Sequence, residues 1–497
     1  MLCIFIAAIL IPPAFPSQDG PVHLYYAQVM RDLIADRSAW DGYFVLRPGI
    51  PPYMLHNLLL FALAPIFPPL TAEKILAALS VALLCIAFRS MVKSLEPRAS
   101  WTALLIFPVV MHKPLYMGFY NFSLGLGIAL FLSAWWIRRS HEFGRRDAAL
   151  FLLGIALLSI THPVALALTL SFAAIELAVG GIMRNGWRLT ALSAGCLSVL
   201  YIALYTKLPP TQPVAGLPAM LSHAGSALEA IWPMRTPLHQ IVRISVCAGA
   251  AGLLAFRTIK AGRPRAGAIA ILIFSAACTV AFIIAPDNMN GADYFNERFA
   301  IFAFVFALAL CASINGPRSV EIGAGLTAAV FALTLLVEQS IRTRPFAEEA
   351  ARLDNAMIAS PNQRGVVLAT RGAIGPPDFN FSPCAHLAAH YFRRAHAILV
   401  NSVWLHMPIA AITPRAWEAG HFLDPHRMTD FGLRHPDRLP RVDFIAAESC
   451  PPGSTDAGLQ NLIDFYGAEH AVMNTRCVAI FASSRVHSRL SHAIDSK

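Results

Sequence analysis

Pro51-Pro52-Tyr53-Met54-Leu55-His56-Asn57-Leu58-Leu59-Leu60-Phe61-Ala62-Leu63-Ala64-Pro65-Ile66-Phe67-Pro68-Pro69-Leu70 is the stretch on which the fold turns. It is apolar, yet Pro51, Pro52, Pro65, Pro68 and Pro69 interrupt it. A membrane-spanning helix needs about 20 mainly apolar residues. Runs near that length lie at 1–15, 72–90, 99–113, 118–137, 147–162, 163–182, 187–206, 237–257, 266–285, 298–314 and 319–341. Whether 51–70 joins them decides which way every later loop faces. If it does not span, the connections 89–98, 138–146, 184–188, 257–265 and 315–318 share one side, with 14 Lys/Arg against Glu96 and Glu142. The opposite connections, 17–71, 111–117, 207–236 and 286–298, hold 7 Lys/Arg against 8 Asp/Glu. Basic loops stay cytoplasmic. The segment 51–70 therefore reads as interfacial or re-entrant, giving eleven spans, an inner N-terminus and an outer C-terminus. Met1–Phe15 lacks a basic leader and a small-residue cleavage site before Pro16, so it reads as a first span with a shortened start rather than a signal peptide.

Composition agrees with this topology. Of 497 residues, 56% are hydrophobic and 14% charged, where soluble domains carry roughly 25% charged residues. A purely soluble enzyme, a disordered chain and a collagen-like chain are excluded. The net charge of +10 follows from the basic inner loops and is no argument for nucleic acid. The reading is a polytopic α-helical membrane protein over 1–342, whose first outer loop, 16–71, carries juxtamembrane helices. A small extracytoplasmic α/β domain over 343–497 follows.

Ser17-Gln18-Asp19-Gly20-Pro21-Val22-His23-Leu24-Tyr25-Tyr26 begins the first outer loop. Pro21 suits a first helical turn, where its missing N–H costs nothing. Val22, Tyr26, Val29 and Leu33 then form one apolar stripe, with His23, Arg31, Asp32 and Asp36 off it. The pattern predicts an amphipathic helix on the membrane surface with Asp19 at its positive end. Asp19 is either a helix-start acid or, with His23 four residues on, a general base for a hydroxyl. Arg47 follows later in the same loop.

Other polar residues gather at outer span ends. His112 and Lys113 lie in one hairpin, with Tyr116, Tyr120 and Asn121 after it. Lys113 suits a phosphate as a point charge, or snorkels among interfacial aromatics. Thr161-His162-Pro163 is a tight connection: a plain hairpin turn, or a histidine placed on a phosphate or nucleophile. In the loop from Asp287 to Arg298, Arg298 offers a planar fork for phosphate oxygens or an interfacial salt bridge to Glu297 or Asp293. Asp287, Asp293 and Glu297 lack calcium-loop spacing. The Pro-rich connection 207–236, with His223, Trp232 and Arg235, reads as a lid or as a structured loop without chemistry.

An acid just past the first span, two juxtamembrane helices, a Pro-Pro start to the second and many later spans resemble the GT-C integral membrane glycosyltransferases. That superfamily includes protein O-mannosyltransferases, aminoarabinose transferases and uncharacterised bacterial relatives. The matching motifs are Asp19–Tyr25, Phe119–Phe122, His162-Pro163 and Glu297-Arg298. The resemblance implies inverting transfer of a sugar from a polyprenyl-phosphate donor to a cell-envelope glycan, lipid or protein on the outer face of a bacterial inner membrane. It implies Asp19 as general base, with Arg298 and Lys113 on the departing phosphate and His162 and His23 orienting the phosphate or Asp19. The paired acids familiar in that family are absent, since Gly20 and Pro21 follow Asp19. No cofactor is expected, and a divalent cation is not favoured.

In the outer region, 345–360 reads as a helix with Phe346, Ala350, Leu353 and Met357 on one face. Strands are expected at 365–369, 397–400, 442–446 and 471–481, with helices at 387–394 and 459–465. No phosphate loop or nucleophile elbow occurs there. His386, His390 and His396 read as surface or core histidines. Cys384, Cys450 and Cys477 lie where oxidation is permitted, and one disulfide can form without its pairing being fixed. Two rival classes are a lipid or solute transporter, for which no internal repeat is visible, and a non-catalytic membrane assembly factor.

Overall fold

The computed structural model describes residues 1–35, 44–46, 52–180, 186–206, 216–260, 266–287, 294–313, 317–355, 364–369, 378–394, 398–399, 412–414, 444–448, 470–474 and 477–482. Apolar run length dictates most of it. In chain order the helices begin with α1 (Leu2–Leu10), α2 (Gly20–Ile34), α3 (Leu55–Leu63) and α4 (Pro69–Leu95). A 3₁₀ run at Trp101–Ile106 leads into α5 (Phe107–Val110), followed by α6 (Lys113–Tyr116) and α7 (Tyr120–Arg138). Next come α8 (Arg145–Thr161), α9 (Pro163–Val179), α10 (Gly186–Thr206), α11 (Leu217–Ser226), α12 (Pro237–Lys260), α13 (Ala266–Ile284) and α14 (Glu297–Ala312). The last two are α15 (Arg318–Asp354) and α16 (Ala388–Arg394). Proline sits in the first turn of α2, α4, α5, α6, α9 and α11, where the lost N–H would have had no helical partner.

Among the described residues, α4, α7, α12, α13 and α15 are long and apolar enough to cross a membrane. The packed centre is the α4–α7 pair, flanked by α9, α13 and α14. The stretch 51–70 forms only the nine-residue α3, about 14 Å long against a hydrocarbon core of about 30 Å. It breaks at Pro65, and Pro68 then precedes the start of α4.

Three expectations change. The polar face of α2 is not wet. His23 and Asp32, off the apolar stripe, are as buried as Val22 and Val29, because α3, α4 and α16 pack around the helix. A helical pattern marks apolar positions, but it does not say that polar ones stay in water. The tail helix expected from residue 345 is continuous with the last span. The 37 residues of α15 run through Pro345 for about 55 Å, some 25 Å more than the hydrocarbon core. Phe346, Ala347, Ala350 and Leu353, buried just beyond the proline, hold the helix together where Pro345 cannot donate. Arg188, counted among the basic inner residues, is wholly buried, donating to Glu176 with its guanidinium 4.2 Å from the Trp136 ring centroid.

Seven strands are described. β1 (Phe44–Leu46), between α2 and α3, pairs antiparallel with β4 (Ile412–Pro414). The others are β2 (Arg364–Ala369), β3 (Ile398–Leu399), β5 (Phe444–Glu448), β6 (His470–Asn474) and β7 (Val478–Ala482), in one mixed sheet of order β3-β2-β5-β7-β6. Cys384 and Cys477 form a disulfide, fixing the pairing that spacing had left open. Residues 459–465, Met357, His396 and Cys450 lie outside the described residues.

Candidate functional site

The site begins with a short strip of backbone. Gln18 donates to the carbonyl of Tyr116 (2.9 Å) and Asp19 to that of Met117 (3.1 Å), zipping the start of α2 onto the loop after α6. Gly118 turns that loop with φ +79, and a Cβ there would come within 2.9 Å of the Gly20 nitrogen. A side chain at Gly20 would overlap the Glu73 carboxylate and the Ser17 hydroxyl. Both glycines are thus required by close backbone approach. Asp19 precedes the first turn of α2 and is buried, with its carboxylate at the positive helix end.

Beneath this strip lies a carboxylate that the sequence reading passed over. Glu73 Oε1 accepts from Ser17 Oγ at 2.5 Å and from Tyr120 Oη at 2.6 Å. Next to it Lys74 donates to the carbonyls of Leu10 and Pro12, at 2.9 and 2.8 Å, and closes the end of α1 with a cation. An ionisable group opening a spanning helix is a site candidate on chemistry alone, so Glu73 was visible in the sequence.

Beside Asp19 runs a chain of side chains whose proton positions follow from its far end. His23 Nε2 faces the Gly118 carbonyl at 3.1 Å, so Nε2 carries the proton. His23 Nδ1 then accepts from His56 Nε2 at 2.9 Å. His56 Nδ1 lies 2.5 Å from Asn121 Nδ2 and 3.1 Å from the Tyr53 carbonyl, to which Asn121 Nδ2 also donates at 2.5 Å. Left bare, His56 Nδ1 accepts from Asn121, while Asn121 Oδ1 accepts from the His56 amide at 2.9 Å. This assignment keeps both imidazoles neutral. Burial pushes His56 down to about 4. Burial first, and then the neighbouring His56, lower His23 well below its ordinary value.

A second cluster holds the cations. Lys113 Nζ donates to Glu297 Oε1 at 2.6 Å and sits 4.5 Å from the centroid of the Tyr294 ring. Glu297, one of two acids weighed as an alternative partner for Arg298, pairs with Lys113. Arg298 is buried, with its guanidinium 5.7 Å from the ring centroid of Phe119 and 6.0 Å from that of Phe295. His162 caps α9 through Nδ1, which accepts from the Ala165 amide at 3.4 Å. Its ring stands edge-on to Tyr53 at 4.7 Å and to Phe122 at 5.3 Å. His162 Nε2 and Glu297 Oε2 are buried and make no hydrogen bond among the described residues.

The consecutive residues Gly118 and Phe119 join the clusters, one against Asp19 and the other against Arg298. The structure therefore brings together Asp19, His23, Tyr120, Asn121, Lys113, Glu297, Arg298 and His162. His112 instead caps α6, accepting from the Leu115 amide at 3.2 Å. Arg47 and Asp293 lie outside the described residues. Among the described residues no group of three His, Cys, Asp or Glu side chains is arranged to hold a metal.

The connection 229–236 is not a bare loop. Trp232 donates to the Pro108 carbonyl at 3.2 Å, and Lys113 donates its amide to Ile231 at 2.8 Å. Three described non-glycine residues have left-handed backbone: Tyr53 (φ 66), Tyr294 (φ 57) and His386 (φ 63). All three touch this site. Tyr53 and Tyr294 border the cation cluster, and His386 Nε2 lies 3.7 Å from Asp19 Oδ1. Such conformations persist where surrounding structure enforces them, and they concentrate at working sites. His386, read from sequence as a surface or core histidine, is a site residue.

No protein-family model and no curated protein matches this sequence. Solved structures do. ArnT from Cupriavidus metallidurans in the apo state superposes with a TM-score of 0.55 at 11% identity, covering 97% of this chain and 96% of that one. This chain has the fold of that ArnT structure. A mutant of the arabinofuranosyltransferase AftD from Mycobacteria gives a TM-score of 0.43 at 14% identity, and the chain spans 41% of that structure's length. The expectation of a largely helical membrane protein agrees with this fold and with the five helices, among the described residues, that are long and apolar enough to cross a membrane.

Proposed function

We propose that the protein is an inverting, integral membrane glycosyltransferase that moves a sugar from a polyprenyl-phosphate donor to a cell-envelope glycan, lipid or protein. The observation that carries this reading is the junction at Gly118-Phe119. Gly118 lies against a buried carboxylate at a helix N-terminus and Phe119 faces a buried guanidinium, in a chain with the ArnT-like fold.

Asp19 takes the proton of the acceptor hydroxyl as the oxygen attacks the anomeric carbon. The bond from that carbon to the donor phosphate breaks on the opposite face, and the polyprenyl phosphate departs with the electron pair. Arg298, Lys113 and the unused Nε2 of His162 are the groups to meet its charge, and a preorganised donor at such a position is worth roughly 3–4 kcal/mol. Glu73, Ser17 and Tyr120 support the strip carrying Asp19, and the His23–His56–Asn121 chain fixes the Gly118 turn. Asp19 has no adjacent acid, so the reaction proceeds without a divalent cation, and EDTA leaves the rate unchanged. The full topology belongs to the same reading: eleven spans in a bacterial inner membrane, the N-terminus inside, and residues 343–497 outside as an α/β domain.

The test is transfer of label from a panel of radiolabelled undecaprenyl-phosphate sugars to envelope acceptors. The host is a strain lacking the protein, complemented by wild type or Asp19→Asn. Wild-type transfer that Asp19→Asn abolishes is the expected result; equal transfer by both defeats the catalytic assignment. Cysteines placed in 286–298 are expected to react with impermeant thiol reagents from outside, and labelling only from the cytoplasm overturns the topology.

A further inference from the structure

The segment that brings His386 to Asp19 is fastened at almost every residue. Asp378 pairs with Arg342 of α15 at 2.6 Å, and its carbonyl accepts from the Arg235 amide at 2.8 Å. Asn380 donates from its backbone to Pro233 and from Nδ2 to Trp232, both at 2.8 Å. Phe381 stacks on Tyr116 with centroids 5.3 Å apart, and Ser382 donates its amide to Gln18 Oε1 at 2.9 Å. Cys384 is then tied to Cys477 beside β7. Those anchors end at His386, whose left-handed backbone turns its ring to Asp19 just before α16 begins. The Asp19 side chain is 4% exposed and that of His386 is 35% exposed, so the ring, rather than the carboxylate, borders open space.

We infer that His386 is a positioning residue for Asp19, so that the outer segment 378–387 completes the reaction centre instead of merely covering it. The inference rests on the function proposed above. A carboxylate only accepts, so the imidazole Nε2 carries the proton and points it at Oδ1. Together with Gln18 Nε2, which donates to the same Oδ1 at 3.5 Å, it fixes the plane of the carboxylate that receives the acceptor's proton. The 3.7 Å separation is longer than a hydrogen bond, and catalytic contacts of this kind tighten when substrate fills the site. His386 is held neutral, because burial pushes it down to about 4, and the water at its open face tempers that effect. The titratable groups of α2 that face it are Asp19 and His23.

Full-length protein in lipid nanodiscs, assayed with the undecaprenyl-phosphate sugar panel, tests this. His386→Ala is expected to lower kcat roughly ten- to a hundredfold, the range seen when the orienting partner of a working group is lost, with KM within about twofold. The acid limb of its kcat/KM profile moves to higher pH, since a donor to the ionised form of Asp19 is gone. His386→Gln, which keeps an N–H donor, restores most of the rate and the limb, and it carries the test if the alanine variant does not accumulate. Wild-type rates and profile in both variants overturn the inference while leaving the proposed function intact. A wild-type protein that transfers nothing overturns the function. The contact itself is then judged by melting temperatures of Asp19→Asn, His386→Gln and the double variant, where strictly additive shifts defeat it.

Discussion

The two clusters at Gly118-Phe119 are built on opposite principles. On the Asp19 side, every histidine nitrogen of His23 and His56 has a partner, and Glu73 Oε1 accepts two short hydrogen bonds while its buried Oε2 makes none among the described residues. On the Arg298 side, Arg298 and Lys113 stand over ring faces, Lys113 pairs with Glu297, and two buried polar atoms, His162 Nε2 and Glu297 Oε2, make no hydrogen bond among the described residues. The more saturated network fixes geometry, whereas the less saturated one keeps the His162 N–H available for a charge that arrives and leaves. The contrast suits a base that must hold still beside a phosphate that must depart.

The comparison breaks most sharply at Asp19. Asp19→Asn keeps shape but loses basicity, and transfer is expected to fall by about 10²–10⁴. Melting temperature in detergent should stay close to wild type, because the fold keeps an Asx residue at the start of α2. A variant that is inactive only because it is unfolded would contradict this.

Arg298 comes next. Arg298→Gln removes the fork from between Phe119 and Phe295, and kcat is expected to fall by about 10²–10³. Arg298→Lys should recover only part of the loss, since a point charge does not reproduce a planar fork. Lys113, already paired with Glu297, shares the phosphate charge without replacing the fork. Full activity in Arg298→Gln would remove the phosphate from this cluster.

How far the sequence foretold these clusters depends on the distance each contact spans. Asp19, Gly20 and Pro21 act on one another locally, and run lengths alone locate the long helices, so both were readable. Arg298 and Lys113 stood out because charge is scarce in an apolar chain. The partner of each was not readable: Glu297 stood only as one alternative partner for its neighbour Arg298, and it bonds to Lys113, 184 positions away. Ser382 and Gln18 meet across 364 positions, and no periodicity encodes such a contact, so His386 passed for an ordinary histidine. The polar face of α2 was read correctly as polar and wrongly as wet. Its partner, His56, sits on a helix whose sequence shows only an apolar run broken by prolines.

The saturated side also sets a pH dependence. His56 in the folded protein has its pKa near 4, and burial lowers His23 as well, while both return to about 6.5 on unfolding. Between those values the unfolded chain binds more protons than the folded one, so stability rises with pH through that window. It is complete above about 6.5 and lost progressively as the pH falls towards 4. Melting temperature should therefore drop between pH 7.5 and pH 5, and replacing both histidines by glutamine should flatten the slope. An unchanged melting temperature across that range would mean that the imidazoles are not held neutral.

The smallest expected effect separates two uses of one residue on the unsaturated side. His162 caps α9 through Nδ1, and its Nε2 is left over. A capping bond is worth about 1 kcal/mol, less here because 3.4 Å is long. His162→Asn keeps a capping oxygen and removes Nε2, whereas His162→Ala removes both. If capping is the whole role, asparagine should match wild type in stability and in transfer, with only alanine losing up to about 1 kcal/mol. If Nε2 meets the departing phosphate, asparagine should keep the stability and lose rate as alanine does. We expect the second pattern, because a buried ring nitrogen within electrostatic reach of Arg298 carries a desolvation cost that capping does not explain.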